Sequence, residues 1–114
     1  MQVQGVGGIF MRARDPKALG DWYQRHFGLA NGGATMTRAG PLVFCTFARD
    51  TDYFGGAQTF MLNLRVDDLD AVLAKLAEGG VGQAKPRESM EGVGAFAWVE
   101  DPEGNRIELW QPSP

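Results

Sequence analysis

The residues of this chain that could do chemistry are few, and the most telling is an acid set among apolar neighbours. Glu108 lies between Ile107 and Leu109 in a segment that alternates along its length. In a strand its side chain leaves the face carrying those two and points to the other side of the sheet. A carboxylate there is a candidate catalytic residue, acting as a general base where burial raises its pKa. The plainer alternative is an ion pair with Arg12 or Arg65. Those two arginines would hold the carboxylate or phosphate of a ligand through paired donors, or else are solvated strand ends beside Asp15 and Asp67. Phe10, Phe96, Trp98 and Trp110 offer flat apolar walls for an aromatic or cationic ligand, with core packing as the competing role of each.

Other chemistries find less support. His26, the one histidine, sits near the end of a helical segment, where an imidazole suits the negative end of the helix dipole. Without a second histidine, a Ser-His-Asp or Cys-His arrangement would have to use it, which argues against nucleophilic hydrolysis. Cys45, the one cysteine, lies in Leu-Val-Phe-Cys-Thr-Phe and reads as a small buried hydrophobe; no intrachain disulfide or thiolate zinc cluster can form. With 11 Lys and Arg against 14 Asp and Glu, the net charge is −3, and no run of like charge marks a nucleic-acid groove or a membrane patch. No apolar run is long enough to span a bilayer, and the expected location is cytoplasmic.

Two helices are expected to position these residues. Asp15 can cap the first and Pro16 can take its first position. Leu19, Trp22, Tyr23 and Phe27 then repeat at helical spacing before Gly28 stops it. The second begins at Asp67 or Asp68, puts Leu69, Val72, Leu73 and Leu76 on one face, and ends at Gly79 and Gly80. Period-two segments flank them. Residues 8–14 precede the first helix, with Ile9, Met11 and Ala13 on one side and Gly8, Phe10, Arg12 and Arg14 on the other. Residues 61–66 precede the second, with Leu62, Leu64 and Val66 opposed to Met61, Asn63 and Arg65. The apolar set should face the helix in each case. Further strands are expected over residues 34–38, 42–48, 81–85, 94–100 and 106–111, with a type I turn at Asp101-Pro102-Glu103-Gly104. Gly5, Gly7 and Gly8 open a strand rather than a helix and so form no phosphate loop, and Gly92-Val93-Gly94 reads as a turn.

The two halves repeat with an offset of 53 residues: Asp15 falls on Asp68, Ala18 on Ala71, Leu19 on Val72, Tyr23 on Leu76, Arg12 on Arg65 and Phe10 on Asn63. A half of this size would hardly bury its own sheet face, so the halves are expected to form one domain, module one at about 1–55 and module two at about 56–114. Pairing through their uncovered faces would line a central cleft.

Three stretches carry a resemblance: Arg14-Asp15-Pro16 running through Trp22-Tyr23 to Phe27-Gly28-Leu29, then Val66-Asp67-Asp68-Leu69-Asp70, then Asp101-Pro102-Glu103-Gly104-Asn105-Arg106-Ile107-Glu108-Leu109-Trp110. The chain resembles the vicinal oxygen chelate superfamily, which includes glyoxalase I, bleomycin-resistance proteins and extradiol dioxygenases. The resemblance covers essentially the whole chain. It implies an α+β fold of two βαβββ modules around a cavity, often in a homodimer. It also implies a divalent metal in that cavity, and here this sequence departs from the pattern. Gly8 and Met61 occupy the two first-strand positions where histidine is usual, and none of Phe44, Cys45 and Thr46 supplies a carboxylate. Only Glu108 matches a ligand position by type. One carboxylate with water is a weak site for a divalent cation.

The expectation is therefore a glyoxalase-like or bleomycin-resistance-like protein that holds a small organic molecule without a metal or other cofactor, on Phe10, Arg12, Asn63, Arg65, Phe96, Trp98, Glu108 and Trp110. The alternative is a metal-dependent lyase resembling glyoxalase I that uses Glu108, and a degenerate module using its cleft face for a protein partner is a third reading.

Overall fold

The computed structural model describes residue 6, residues 9–41 and residues 43–114. The chain falls into two compact units, Met1–Thr51 and Asp52–Pro114. The second has the order strand, helix, three strands: β1 (Leu62–Arg65), α2 (Leu69–Glu78), β2 (Lys85–Met90), β3 (Gly94–Glu100) and β4 (Arg106–Pro112). They form one mixed sheet in the order β1-β4-β3-β2, with β1 parallel to β4 and both other pairs antiparallel. A crossover is needed to bring β1 parallel to another strand, and α2 is part of the chain that makes it.

The sheet of this unit is buried on both faces: Trp98 on one is fully buried and Trp110 nearly so, and the other carries the aliphatic core. Ala97, Val99, Ile107 and Leu109 are fully buried and share a parity, and α2 contributes buried Leu69 and Leu76. Gln111 has the same parity, and its side-chain carbonyl accepts from the backbone N–H of Leu69 at 2.7 Å, which docks the first turn of α2 on this face. The helix starts where expected. Asp68 caps it by accepting from the N–H of Ala71 at 3.1 Å, and the chain leaves through Gly79 and Gly80, the latter at φ 83°.

Two tight connections fix the antiparallel strands. Between β3 and β4, buried Asp101 accepts from the backbone N–H groups of Glu103 and Asn105, both at 2.9 Å, and from the Asn105 side chain at 2.7 Å. The N–H of Gly104 closes the turn on the Asp101 carbonyl at 3.0 Å. The residues that carry most of the family resemblance thus hold a hairpin. At the start of β3, Gly94 has φ 139°, and a Cβ there would sit 2.1 Å from the Gln111 carbonyl oxygen.

The strand expected over residues 81–85 lies further on, at Lys85–Met90. The N–H of Val81 is taken by the carbonyl of Leu76, which finishes the helix and keeps the chain out of the ladder until Ala84 donates to Trp98. The real strand, Lys-Pro-Arg-Glu-Ser-Met, is an exposed edge with no apolar alternation, so its sequence carries no strand signal.

The first unit holds α1 (Pro16–Phe27), capped by Asp15 on the N–H of Ala18 at 3.1 Å and ended by Gly28 at φ 68°. Leu19 and Tyr23 are buried, and Trp22 packs edge-on against Tyr23 and Phe27. The strands expected over residues 8–14, 34–38 and 42–48 are not found: the described residues there are irregular. Phe10, Met36 and Phe44 are 92%, 94% and 85% exposed. Alternation gives a segment a preferred side, but a strand exists only through ladder partners. Gly40 and Pro41 work against a continuous ladder between the last two segments. Gly5, Gly7, Gly8 and Leu42 lie outside the described residues.

Replacing Gly94 by alanine forces a Cβ into the Gln111 carbonyl and a side chain into a conformation L residues rarely adopt. We expect Gly94→Ala to lower the unfolding free energy by about 3 kcal/mol or more in urea titrations, whereas Gly82→Ala, where the added Cβ meets open space, shifts it far less.

Candidate functional site

The sheet face away from the apolar core is built in two rungs. Register places Asn63, Glu108, Trp98 and Lys85 side by side across β1, β4, β3 and β2. One step along, Arg65, Trp110, Phe96 and Glu88 form the neighbouring rung. Cross-strand partners share a face, so the parity expected for Asn63, Arg65, Phe96, Trp98, Glu108 and Trp110 is the parity observed.

Glu108 is the centre of the first rung and is 9% exposed. A carboxylate so far from water needs donors, and three reach it. The Tyr53 hydroxyl donates to Oε2 at 2.5 Å, the Trp98 indole N–H to the same oxygen at 3.0 Å, and the Asn63 amide to Oε1 at 2.7 Å. All three partners are neutral. The ion pair with Arg65 considered from sequence does not form; the strand register gives Glu108 an amide and an indole as cross-strand neighbours instead. Burial, followed by the bond to Glu108, pushes the Tyr53 phenol well above its ordinary pKa of 10.0.

Tyr53 precedes β1, and Gln58 and Arg106 hold it in place. The Gln58 side chain accepts from the N–H groups of Gly55 and Arg106 and donates to the carbonyls of Phe60 and Arg106. The Arg106 guanidinium donates to the Tyr53 carbonyl at 3.1 Å. The phenol ring then stands edge-on to the indole of Trp98, centroids 6.0 Å apart. The Lys85 ammonium lies 4.2 Å from the Trp98 ring centre and 4.9 Å from that of Tyr53. In the second rung Phe96 and Trp110 are nearly parallel, 4° between planes and 6.1 Å between centroids, and Phe96 lies at 18° to Trp98. The Trp110 indole donates to the Val93 carbonyl at 3.0 Å, which fixes its tilt.

A divalent ion does not suit this donor set. It would have to displace N–H and O–H groups already aimed at Glu108, and the matching position at the entry to β1 is the thioether of Met61. Gly8 lies outside the described residues. Among the described residues no three His, Cys, Asp or Glu side chains are gathered as a cation would require. Cys45, expected buried, is exposed, because the segment that carries it forms no strand. His26 packs at 4.9 Å on the Trp22 ring, and partial burial, then Arg25, lowers its pKa.

A family model described as the Glyoxalase/Bleomycin resistance protein/Dioxygenase superfamily matches residues 5–109. The chain belongs to this superfamily. TioX from Micromonospora sp. ML1 shares its fold, with a TM-score of 0.57 and 21% identity over 89% of this chain and 93% of that one. Shorter likenesses link it to two other solved structures. A superfamily member from Sphaerobacter thermophilus DSM 20745 is 34% identical over 44% of this chain and 40% of that chain, with a TM-score of 0.40. TnmS3 from Streptomyces sp. CB03234, an antibiotic binding protein, is 46% identical over 46% and 41%, with a TM-score of 0.41. The match to these two spans about two fifths of their length. No curated protein matches the chain. Among the described residues no helix is long and apolar enough to cross a membrane.

Of the residues singled out from sequence, this member of the superfamily gathers six on one sheet face: Asn63, Arg65, Phe96, Trp98, Glu108 and Trp110. Phe10 and Arg12 lie in the first unit, in an irregular segment rather than the expected strand. Sequence reasoning missed Tyr53, which lies outside every expected helix and strand, and Lys85, placed at the end of a strand rather than at its start. The signal for Lys85 is its pairing with Trp98, which only the true register of β2 reveals.

The phenol of Tyr53 gives a test of this geometry. Its pKa is raised in the folded protein, so the unfolded chain ionises first. Stability from this group is intact below pH 10 and is lost as pH rises beyond it. Tyr53→Phe should be less stable by about 1.5–3 kcal/mol at pH 7. In urea unfolding at stepped pH, the gap between the parent and Tyr53→Phe should narrow above pH 10.

Proposed function

We propose that this protein binds a small organic molecule on the aromatic sheet face and does so without a resident metal. The observation that supports this reading is the state of Glu108, whose oxygens are engaged by Tyr53, Trp98 and Asn63. A general base needs a lone pair aimed at substrate, and a ligand to a cation needs the same. Sequestering a ligand needs neither; it needs a shaped, largely apolar wall with a few placed polar groups, and the candidate is Phe96, the partly exposed ring stacked beside buried Trp98 and Trp110. In this reading the protein works as a cytoplasmic homodimer. The antibiotic-binding description of TnmS3 belongs to that protein.

Titration calorimetry with a panel of planar aromatic compounds, before and after exhaustive chelation, separates the readings. We expect binding that chelation leaves unchanged, with well under one metal ion per chain by elemental analysis. Stoichiometric metal, with binding or lyase turnover lost on chelation and restored by the ion, would establish the metal-dependent alternative. A folded sample that binds none of the panel would remove the proposal.

A further inference from the structure

One stretch of the first unit has the make-up of a strand and lies open to solvent. Val43, Phe44, Cys45, Thr46 and Phe47 are β-branched, aromatic or small and apolar, with no charge, glycine or proline among them. All five are exposed, Val43 and Phe44 to 64% and 85%, and they belong to no ladder. Such a run is a template for another strand. The internal repeat explains why its own unit leaves it so. Moved back by 53 residues, β1 falls on residues 9–12, β2 on 32–37, β3 on 41–47 and β4 on 53–59. In the second unit β4 stands between β1 and β3 and pairs with both. Its counterpart is no strand: Gly56 has φ 45°, the Tyr53 hydroxyl is bound to Glu108, and the Gln58 side chain is bound to the N–H groups of Gly55 and Arg106. Residues 53–59 also belong to the second unit, so the first lacks a central strand, and the segment answering to β3 lacks the strand it would pair with.

We propose that a second copy of the chain covers this stretch, residues 42–48 of the two copies pairing antiparallel about a two-fold axis at Cys45. The proposal rests on the homodimer of the reading above and locates its interface. Pro41 bounds the segment on one side, and on the other a turn closes from the Thr51 N–H to the Ala48 carbonyl at 3.1 Å. Cys45 is the midpoint. Pairing in register therefore sets Cys45 against its own copy, Val43 against the partner's Phe47 and Phe44 against the partner's Thr46. Val43, Cys45 and Phe47 share a parity and meet on one face, and no like charges are opposed because the run has none. With Ile9, Phe10 and Met36, the exposed apolar side chains of the first unit offer roughly 700 Å² per copy, near the ~800 Å² that each partner contributes to a stable dimer. A second copy brings the matching uncharged strand by symmetry, and each copy supplies what the other lacks.

Cys45, the one cysteine of the chain, serves as the reporter. Light scattering at stepped concentrations measures the dimer, and a short bifunctional maleimide captures two thiols held within its reach. We expect a dimer that the reagent converts to a covalent pair in high yield, while Cys45→Ser/Glu78→Cys, with its thiol at the end of α2, is captured only at the level of random collision. Phe44→Lys should raise the dimer dissociation constant about tenfold. Adding Thr46→Glu, which places a carboxylate across from that lysine, should recover part of the loss. Both positions are exposed in the single chain, and melting curves confirm that the variants fold. A monomer at every concentration would overturn both this interface and the homodimer, leaving ligand binding to its own titration. A dimer whose Cys45 is not captured, or whose dissociation constant Phe44→Lys leaves unchanged, would overturn this interface alone. Growth beyond a dimer would mark open-ended strand stacking and overturn the two-fold arrangement.

Discussion

A buried carboxylate held by neutral donors is the constraint around which the second unit is arranged. Glu108 comes from β4, Asn63 from β1, Trp98 from β3 and Tyr53 from the segment before β1, so satisfying one charge ties three strands and a connector together. A hydrogen bond to a charged group contributes about 1.5–3 kcal/mol, and a charge left buried without its donors costs more than the bonds return. Each donor is therefore constrained in position as well as in type. Trp98 must keep its indole N–H on Oε2, which orients the ring for both Tyr53 and Lys85. The aromatic row owes its rigidity in part to this acid.

How much of this was legible in sequence depended on whether the signal was local. Both helices were readable because their ends are set by single residues: Asp15 and Asp68 accept from the N–H three positions on, and Gly28 and Gly80 take the left-handed conformation. The strands β1, β3 and β4 were readable because alternation survives where one face meets a helix and the other does not. The edge strand β2 was not, since it buries little and its hydrogen bonds, unlike its side chains, are what make it a strand. Alternation over residues 9–13 and 34–38 promised strands that did not form, because a pattern cannot supply a partner. Glu108 stood out by type and parity, while Tyr53 reaches it across 55 positions of sequence and left no local trace.

The internal repeat is a further case of a signal that is true where it is local. The same aspartate-to-alanine capping bond occurs in both helices at the 53-residue offset and at the same 3.1 Å. Tyr23 and Leu76, also related by that offset, are both buried. Outside the helices the halves diverge. Asn63 is a donor to Glu108 within a ladder, whereas its counterpart Phe10 lies exposed in an irregular stretch. A cap needs only its own helix to function, so it tolerates change around it; a rung of the sheet needs three other strands, and its meaning is lost when they are absent.

The charges on the aromatic face are also linked through one side chain. Trp98 donates its N–H to Glu108 while its ring lies under the Lys85 ammonium. An indole that donates to an anion becomes more electron-rich, and a richer ring attracts a cation more strongly, so the two contacts reinforce each other. The result is a positive group, a polarised ring and a negative group in series, with the negative end buried and the positive end nearest to solvent. Putting a divalent cation on Glu108 would reverse the polarity of that series and pull the indole N–H from its acceptor. The bond that helps to satisfy Glu108 therefore also sets the indole under the Lys85 ammonium.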